Sequence, residues 1–454
     1  MDRILERLLG MAEEATGELV ELHQALVRIP TVNTGARDSG NEIEACRLLE
    51  ERFQAEGIST LTLESAPSRG NLLASIGDQP KPRLLLMSHL DVVPVEDESR
   101  WKLPPFSGTV VDGKVYGRGS DDAKSLASTG AMTLILLKRA GISLRGELRF
   151  LAAADEEAGG RYGIGWLAQA HPDQIRASWA INEGGGMPLK RPEGLAYFIS
   201  IGEKGRMEAR FTLRGRSAHG ARPWLADNAL YKLARLLQRI ESYRPEIDVS
   251  LPTFHYFHHF GIAEKPISAN LDRLLAGLGQ QNSSLATTLT ALSRMSIAPT
   301  MASAGIKSNS IPASAELIAD VRTLPHQDEA YVRHELEKIT AGLAGVDLEL
   351  DVTAIANASS FESPFVAQVQ RATKLALDRG EIELIPSLTV GFTDSRCVRP
   401  LGTEVYGFAP LVPETDMIRS GVHGVDETME IENLVLRTKM QVALAYLTLG
   451  GPQG

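Results

Sequence analysis

Five short segments of the chain carry histidines or carboxylates of the kind that bind metal ions. Several of them come directly after an apolar run that is typical of a strand. The segments read Ser88-His89-Leu90-Asp91, Gly117-Arg118-Gly119-Ser120-Asp121-Asp122, Asp155-Glu156-Glu157, Asn182-Glu183-Gly184-Gly185-Gly186 and His423-Gly424-Val425-Asp426-Glu427. Two imidazoles together with several carboxylates are the ligands that a two-zinc hydrolytic site needs. The residue types therefore indicate metal-assisted hydrolysis.

Two of these segments have a chemical logic of their own. In the first, Asp91 can accept the second N–H of a metal-bound His89 and fix its tautomer, whereas the alternative is an ordinary surface turn. In Asp155-Glu156-Glu157, neighbouring carboxylates repel one another unless a cation neutralises one of them. The pattern favours one metal ligand and one proton carrier here, with a solvated acidic loop as the alternative.

Other motifs are weaker. The glycine-rich segment before Asp122 partly matches a dinucleotide-binding loop, but the third glycine of that pattern is absent. An aspartate on a glycine-rich turn suits a bridging metal ligand better. His219 follows a predicted strand in the middle part of the chain, and a single histidine of this kind is usually structural. The aromatic neighbours of His255, His258 and His259 indicate a packed surface or an interface rather than a site.

Length and composition narrow the class of protein. A chain of 454 residues is too long for one compact core, and 43% apolar with 23% charged residues is typical of a soluble protein. The net charge of −10 argues against nucleic acid as a partner. No apolar run approaches the roughly 20 residues of a membrane span, and the first residues lack the apolar stretch of a signal peptide, so we expect a cytoplasmic protein.

The chain has too few cysteines for a zinc site built from cysteine ligands. Cys46 and Cys397 are the two cysteines of the chain, so a disulfide framework is excluded and zinc would need histidine and carboxylate ligands. Cys46 lies on a helical apolar face with Ala45, Leu49 and Phe53, which predicts a core thiol.

The first part of the chain alternates predicted helices and strands. Such alternation predicts an α/β fold with a mainly parallel sheet covered by helices on both faces. Because active groups in such sheets collect beyond the carboxyl ends of the strands, three strand ends should deliver ligands to one edge. The predicted elements are helices over 41–56 and 126–140 and strands over 72–76, 83–87, 147–153 and 178–181.

From about Gly202 the pattern predicts a smaller sheet-plus-helix unit with a helical insertion near Leu271 to Met295. Ser363-Pro364 then opens a helix that runs to Gly380, and Leu434 to Leu449 closes the chain as another helix. Because His423 follows the smaller unit, both ends of the chain should build the metal-binding domain. We expect residues 1–200 and 356–454 to form it, with 201–355 as an inserted lid and dimerisation domain.

Taken in order, these residues resemble the zinc-dependent aminoacylase and carboxypeptidase family. That family includes aminoacylases, acetylornithine deacetylase, succinyl-diaminopimelate desuccinylase, glutamate carboxypeptidase and the Gly-Xaa carboxypeptidases. The resemblance implies two zinc ions per subunit, with cobalt or manganese as possible substitutes, and a small-molecule substrate. One zinc would be held by His89, Asp122 and Glu183, and the other by Asp122, Glu157 and His423.

The resemblance also implies roles for residues outside the ligand set. Asp91 would orient His89, and Glu156 would be the general base of the hydrolysis. His219 is similar to the family's middle-domain histidine, which reaches the active site of the partner subunit in a homodimer. The expected organisation is therefore a homodimer with shared sites, without nucleic-acid or membrane partners.

Two further stretches resemble the substrate-binding segments of the family. In Gly305 to Pro312 and Asp320-Val321-Arg322, Asn309 and Arg322 would bind a substrate carboxylate. In Gly391-Phe392-Thr393-Asp394-Ser395-Arg396, Gly391 and Thr393 would form the substrate-side loop. Ser125 and Phe392 stand where many members have glycine, and a phenylalanine there would narrow the pocket.

These implications predict hydrolysis of the amide bond of N-acyl amino acids, or of short peptides with a free C-terminal carboxylate. The segment Asn182 to Gly186 is more similar to the aminoacylase and Gly-Xaa carboxypeptidase branch, which favours uncharged or apolar acyl groups. One alternative is an aminopeptidase on the same metal scaffold, which would need a free-amine site instead of a carboxylate clamp. The other is a metal-bound metabolite-binding relative, although an intact Glu156 argues against a pure binder.

Overall fold

The computed structural model describes residues 2–77, 80–191, 194–415 and 420–450. Its helices are α1 (Arg3–Glu14), α2 (Thr16–Val27), α3 (Glu42–Ala55), α4 (Lys124–Arg139), α5 (Ile164–Ala170), α6 (Pro172–Ile175), α7 (Ala229–Ser242), α8 (Leu271–Gly279), α9 (Ser283–Leu292), α10 (Glu329–Thr340), α11 (Pro364–Leu377), α12 (Ser395–Val398) and α13 (Ile431–Leu449). Its strands are β1 (Ser59–Glu64), β2 (Gly70–Ile76), β3 (Arg83–His89), β4 (Thr109–Val111), β5 (Lys114–Tyr116), β6 (Glu147–Ala153), β7 (Trp179–Asn182), β8 (Pro188–Arg191), β9 (Gly194–Glu203), β10 (Gly205–Arg214), β11 (Ala218–His219), β12 (Ser296–Ala304), β13 (Ser310–Ile311), β14 (Ser314–Thr323), β15 (Val346–Ala354), β16 (Asn357–Ala358), β17 (Ile382–Thr389), β18 (Glu404–Gly407) and β19 (Thr428–Glu430).

The chain divides into two compact units. Unit 1 comprises residues 1–201, 359–386 and 393–454, and unit 2 comprises residues 202–358 and 387–392. The first boundary falls within β9 and another within β17. Residues 387–392, which the sequence division placed with the metal-binding domain, cluster with unit 2.

The central sheet of unit 1 has the strand order β1-β2-β6-β3-β7-β18-β9. The pairs β6–β3, β3–β7 and β7–β18 are parallel. The outer pairs β1–β2, β2–β6 and β18–β9 are antiparallel, and β8 pairs antiparallel with β9. The predicted α/β class is confirmed, with a parallel centre and antiparallel strands on both sides of it.

Helices cover both faces of this sheet because its central strands are apolar on both sides. Leu85 and Met87 of β3 belong to a buried cluster that also contains Ile164 and Leu167 of α5. Helix α4 packs on the same strands and is buried from Lys124 to Leu137. A Cβ at Gly130 of α4 would lie 2.8 Å from Cδ2 of Phe150, so only glycine allows this close approach.

Most elements of unit 1 match the sequence expectation. β6 has the predicted bounds, and α4 begins at Lys124, slightly before the predicted start. Cys46 is fully buried in α3, which confirms the predicted core thiol. Helix α11 begins at Pro364, with the Ser363 hydroxyl as its cap, and ends at Leu377, where Asp378 adopts a left-handed conformation with φ 48°. It therefore stops short of the predicted end at Gly380.

Unit 2 contains an antiparallel sheet of order β12-β14-β10-β15. Alternate residues of β10 and β14 point into an apolar core that includes residues of α7 and α10. Most of the intervening residues of these strands are charged, and several pair across the other face, as Arg206 does with Asp320 and Arg210 with Glu316.

The predicted helical insertion in unit 2 consists of two helices, α8 and α9. The chain leaves α8 after Gly279, and the Asn282 side chain accepts a hydrogen bond from the Leu285 N–H at 3.0 Å to start α9. His255, His258 and His259 lie in a short 3₁₀ segment, Pro252–Phe260, whose buried phenylalanines hold it in place.

Within the described residues, the helices are all too short or too polar to cross a lipid bilayer.

Candidate metal centre

The carboxyl ends of neighbouring parallel strands in unit 1 carry three of the five predicted ligands. His89 is the last residue of β3 and pairs in register with Ala153, the last residue of β6. Glu157 follows β6 in a short 3₁₀ turn, Glu156–Ala158, and Glu183 follows Asn182 at the end of β7. Asp122 precedes α4, and His423 lies before β19. Parallel strands that end at one edge bring His89, Glu157 and Glu183 together, as the sequence pattern indicated.

Two groups of three side chains are suited to bind metal ions. In the first, one ligand atom each from His89, Asp122 and Glu183 lie within 4.8 Å of one another, and the second group, Asp122, Glu157 and His423, meets the same limit. The His89 Nε2 lies 3.0 Å from Asp122 Oδ1 and 3.7 Å from Glu183 Oε2. The two groups share Asp122.

Asp122 divides its oxygens between the two groups. Its Oδ1 faces His89, whereas its Oδ2 lies 3.1 Å from the Nε2 of His423. That same Nε2 lies 3.2 Å from Glu157 Oε1. Asp122 therefore has the geometry of a carboxylate that bridges two cations.

Electrostatics show that this cluster has an excess of negative charge. Hydrogen bonds to Asp122 and Glu157 raise the pKa of His423 to about 10. Burial opposes protonation of His89, but Glu183, Asp122 and Asp91 together raise its pKa well above the ordinary value. Burial raises the pKa of Glu183, and His89 opposes that rise. The clustered carboxylates thus favour positive charge next to them, and the donor set of imidazole and carboxylate fits divalent cations such as zinc.

Asp91 connects both halves of the centre. The Nδ1 of His89 lies 3.0 Å from the Asp91 carbonyl oxygen, an arrangement that fixes the proton on Nδ1 and leaves Nε2 available as a ligand. The Asp91 carboxylate accepts hydrogen bonds from the N–H groups of Glu156 at 3.0 Å and Glu157 at 3.1 Å. Asp91 therefore positions one histidine and the turn that carries both glutamates.

Behind Asp91 lies Asn33, a residue to which the sequence patterns assigned no role. Its side-chain N–H₂ group donates to Asp91 Oδ2 at 2.8 Å and to Asp155 Oδ1 at 3.0 Å. Asp155 also accepts from Arg69 at 2.9 Å and adopts a left-handed backbone with φ 67°. Asn33 is 4% exposed, so it ties together two buried carboxylates that flank the Glu156 turn.

A second buried pair holds the Asp122 segment. The Glu427 Oε1 accepts from the backbone N–H groups of Asp121 at 3.0 Å and Asp122 at 3.2 Å. Its Oε2 accepts from Arg118 at 2.6 Å. Burial raises the pKa of Glu427 to about 7, although Arg118 opposes that rise. Both residues lie in segments that the sequence singled out, but their roles depend on a contact between distant parts of the chain.

Glu156 lies beside the ligands without belonging to either group of three. Burial and the nearby Glu183 carboxylate raise its pKa well above the ordinary value, whereas His89 lowers it. Asp394 also raises the pKa of Glu156 and is itself 3% exposed, with neither carboxylate oxygen hydrogen-bonded within the described residues. Burial raises the pKa of Asp394 to about 7. A glutamate with a raised pKa next to a cation site is suited to proton transfer.

The structure places the predicted substrate-binding residues in both units. In unit 2, His219 pairs in register with Ser310, and the Gly220 N–H donates to the Asn309 carbonyl oxygen at 2.8 Å, so His219 and Asn309 are neighbours. Gly391 also belongs to unit 2. Thr393 belongs to unit 1, where its buried hydroxyl accepts from the Asn182 side chain at 3.3 Å.

Arg322, in unit 2, pairs with an acid of its own strand. Its Nε donates to Asp320 Oδ1 at 2.6 Å, and the Nε of Arg206 donates to Asp320 Oδ2 at 2.8 Å. The single carboxylate of Asp320 therefore accepts hydrogen bonds from two guanidinium groups. The three side chains together carry a net positive charge.

Comparison with known proteins shows which family the chain belongs to. Residues 85–446 match the model of peptidase family M20/M25/M40. A protein named probable succinyl-diaminopimelate desuccinylase, from Staphylococcus epidermidis, is 27% identical over 412 residues, which are 90% of this chain and 92% of the relative. The N-fatty-acyl-amino acid synthase/hydrolase PM20D1 of Xenopus tropicalis is 26% identical over 458 residues, covering 96% of this chain and 86% of the relative.

A solved structure shares the fold. The M20 family metallo-carboxypeptidase Sso-CP2 from Sulfolobus solfataricus has a TM-score of 0.67 and 20% sequence identity, over 98% of this chain and 99% of that chain. The family match spans most of the chain and includes every residue of both candidate metal-binding groups. The chain belongs to peptidase family M20/M25/M40 and is a metal-dependent hydrolase.

Proposed function

We propose that this hydrolase cleaves the amide bond of N-acyl amino acids, or of short peptides with a free C-terminal carboxylate. The observation that carries the proposal is the pair of three-residue groups that share Asp122, with Glu156 next to them. The names of two relatives refer to a succinylated amino acid and to N-fatty-acyl amino acids, which supports an acylated amino acid as the substrate class.

The proposed cofactor is a pair of zinc ions per subunit, for which cobalt or manganese can substitute. His89, Asp122 and Glu183 would hold one ion, and Asp122, Glu157 and His423 the other. When bound, such a pair lowers the pKa of water and polarises a carbonyl oxygen.

The chain's own residues supply the proton transfers. Glu156 takes a proton from the attacking water at a carboxylate oxygen and then passes it to the nitrogen of the leaving amine, because an unprotonated amine leaves poorly. The raised pKa of Glu156 makes its carboxylate a stronger base toward the attacking water. Asp91 holds both His89 and the Glu156 turn in place for these steps.

Carboxylate recognition is assigned to Asn309 and Arg322, with Gly391 and Thr393 as the loop on the substrate side. The two guanidinium groups that share Asp320 support this role, because their net positive charge suits a carboxylate. Arg322→Ala should lose about 2–5 kcal/mol of transition-state binding for free-acid substrates, by analogy with truncated charge pairs. Arg210→Ala is the matched control, since Arg210 belongs to the same sheet face and pairs with Glu208 and Glu316.

The substrate class can be tested with a panel of N-acyl amino acids and dipeptides in added zinc, cobalt or manganese. Each compound should be supplied with a free and with an amidated C-terminus. Free acids should be hydrolysed much faster, and the Arg322→Ala variant should remove that difference. Equal rates on both forms would instead favour an aminopeptidase, and an absence of turnover in the metal-loaded protein would favour a metabolite-binding protein.

We further propose a cytoplasmic homodimer in which His219 stabilises the oxyanion in the site of the partner subunit. His219 is exposed and belongs to unit 2, whereas the candidate metal ligands belong to unit 1. Mixing His219→Ala with Glu156→Gln should restore activity, because a hybrid dimer would contain one complete site. No recovery in a mixture that demonstrably exchanges subunits would disprove the shared site.

A further inference from the structure

A cavity of about 260 Å³ opens beside two of the candidate metal ligands in unit 1. Its lining includes Asp122 and Glu183, so it adjoins the position of the reacting carbonyl. The remaining wall is mostly apolar, with Ala123, Leu126, Met187, Ala409, Leu411 and Val422.

Backbone hydrogen bonds fix one wall of this cavity. The Ala409 N–H donates to the Gly185 carbonyl at 3.0 Å, and the Leu411 N–H donates to the Gly186 carbonyl at 3.1 Å. A Cβ at Gly186, where φ is 101°, would lie 2.2 Å from the Ala409 carbonyl oxygen. The glycine run after Glu183 therefore lets two segments approach closely, and it positions Met187 at the cavity.

The apolar side chains differ in exposure along the cavity. Leu126, Ala409 and Leu411 are buried, at 4%, 9% and 8% exposed. Met187 and Val422 are 39% and 43% exposed. This gradient, from a buried apolar wall to an exposed apolar rim, suits an apolar group that enters from solvent.

The charged residues of the lining are Asp121 and Arg437 in addition to the two ligands. Arg437 is 4% exposed, and its Nη1 donates to the Ser125 hydroxyl at 2.7 Å. Its Nη2 lies 3.5 Å from Asp121 Oδ1, and its Nε has no hydrogen-bond partner within the described residues. A carboxylate at the end of an acyl chain would therefore meet Arg437 together with Asp121, so the charge of the arginine is already partly balanced. Burial of a further carboxylate there is costly.

We propose that this cavity binds the acyl group of the substrate and selects an uncharged, apolar chain of about four to eight carbons. The size follows from the volume, since a cavity of about 150 Å³ holds one benzene ring. The assignment rests on the proposed amide hydrolysis and deepens it, because it names the acyl class. It distinguishes this chain from a desuccinylase, whose acyl group carries a carboxylate.

The test uses the zinc-loaded protein and two acids of equal length, hexanoate and adipate, which differ by a terminal carboxylate. Calorimetric titration measures their binding without any turnover. Hexanoate should bind at least tenfold more tightly than adipate, and each added methylene from butanoate to hexanoate should strengthen binding about fourfold. Equal or tighter binding of adipate would overturn the proposal.

Variants locate the bound chain. Met187→Glu should weaken hexanoate binding about tenfold, with Met187→Gln intermediate, whereas Val110→Glu serves as a control because Val110 is similarly exposed at 41%. Hexanoate binding that is unchanged in Met187→Glu would place the chain elsewhere and reject the cavity.

Turnover separates the two proposals. N-hexanoyl amino acids should be hydrolysed faster than their N-adipoyl counterparts, with glycine, leucine and glutamate as the amino acid. If hexanoate binds as expected and no N-acyl amino acid is hydrolysed, the proposed reaction fails, and the cavity is a binding site for apolar chains but not an acyl site. If N-adipoyl compounds are the better substrates, the reaction stands and the assignment fails.

Discussion

The strongest test of the positioning network is the removal of Asn33. This side chain donates one hydrogen bond to Asp91 and one to Asp155, at 2.8 and 3.0 Å. Asp91 in turn holds the backbone of Glu156 and Glu157. Asn33→Ala should therefore disturb the geometry of the proposed base without removing a metal ligand or the base itself.

The size of the effect follows from the bonds that are lost. A hydrogen bond to a charged group contributes about 1.5–3 kcal/mol, so the two bonds to Asp91 and Asp155 give about 3–6 kcal/mol. The bond that Asn33 Oδ1 accepts from the Gly35 N–H at 2.9 Å is lost as well. A water molecule that enters the vacated space would restore part of this, so the free energy of unfolding should fall by about 2–4 kcal/mol. A displacement of about 1 Å in a catalytic group costs up to about 100-fold in rate, so we expect kcat to fall about 10–100-fold with little change in KM.

Asn33→Asp provides a readout that a purely structural role would not give. The introduced carboxyl group would face two carboxylates, which raises its pKa. At low pH it is protonated and can donate one hydrogen bond, whereas ionisation at higher pH turns both contacts into repulsion. The ratio of variant to native kcat should therefore fall as pH rises, and Asn33→Ala should show no such trend.

Three measurements check this reasoning: steady-state kinetics from pH 5 to 9, metal content, and chemical unfolding. Gln441→Ala is the control, because Gln441 is also a buried amide, 3% exposed, and accepts from Thr133 far from the Glu156 turn in sequence. It should lower stability and leave kcat unchanged. The reasoning is refuted if folded, metal-loaded Asn33→Ala keeps native kcat, or if both Asn33 variants show the same dependence on pH.

Two further predictions concern the metal centre itself. Glu156→Gln should lower kcat about 10²–10⁴-fold and still bind two metals per subunit, because the base is lost and the ligands remain; metal analysis that finds a site empty would make Glu156 a ligand. When a chelator has removed the metal ions, protonated His423 should stabilise the folded protein, and this stabilisation should be complete below the unfolded pKa of 6.5. It should disappear as pH rises through the folded pKa of about 10. Thermal unfolding from pH 6 to 10.5 measures the decline, which His423→Gln should reduce; an unchanged decline in that variant would assign it to other groups.

Sequence order and periodicity predicted the elements that carry the ligands. The apolar strands Arg83–His89 and Glu147–Ala153 are bounded by charged and polar residues, and their parallel pairing places His89 level with the start of the acidic turn. Local patterns suffice for such elements because burial on both faces requires continuous apolar residues. The structural part of Asp155 in the segment Asp155-Glu156-Glu157 needed the structure, because its contacts are with the side chains of Asn33 and Arg69.

The supporting residues could not be predicted because their partners are distant in sequence. Glu427 bonds to the N–H of Asp121 across 306 positions, and Asn33 bonds to Asp155 across 122. A single sequence contains no local sign of such pairs. The antiparallel pairing beside the parallel centre was not predicted for a related reason, since the partners of β9 lie elsewhere in the chain.

The position of β18 in the sheet has a consequence for synthesis of the chain. β18 lies between β7 and β9, yet residues 204–403 separate it from the second of them. At about 5–20 residues per second, a ribosome needs roughly 10–40 s to add that stretch. During this time the edges that will receive β18 have no strand between them, and open edges favour association with other chains. His423 emerges later still, so the second candidate metal-binding group can be complete only after β18 has been synthesised.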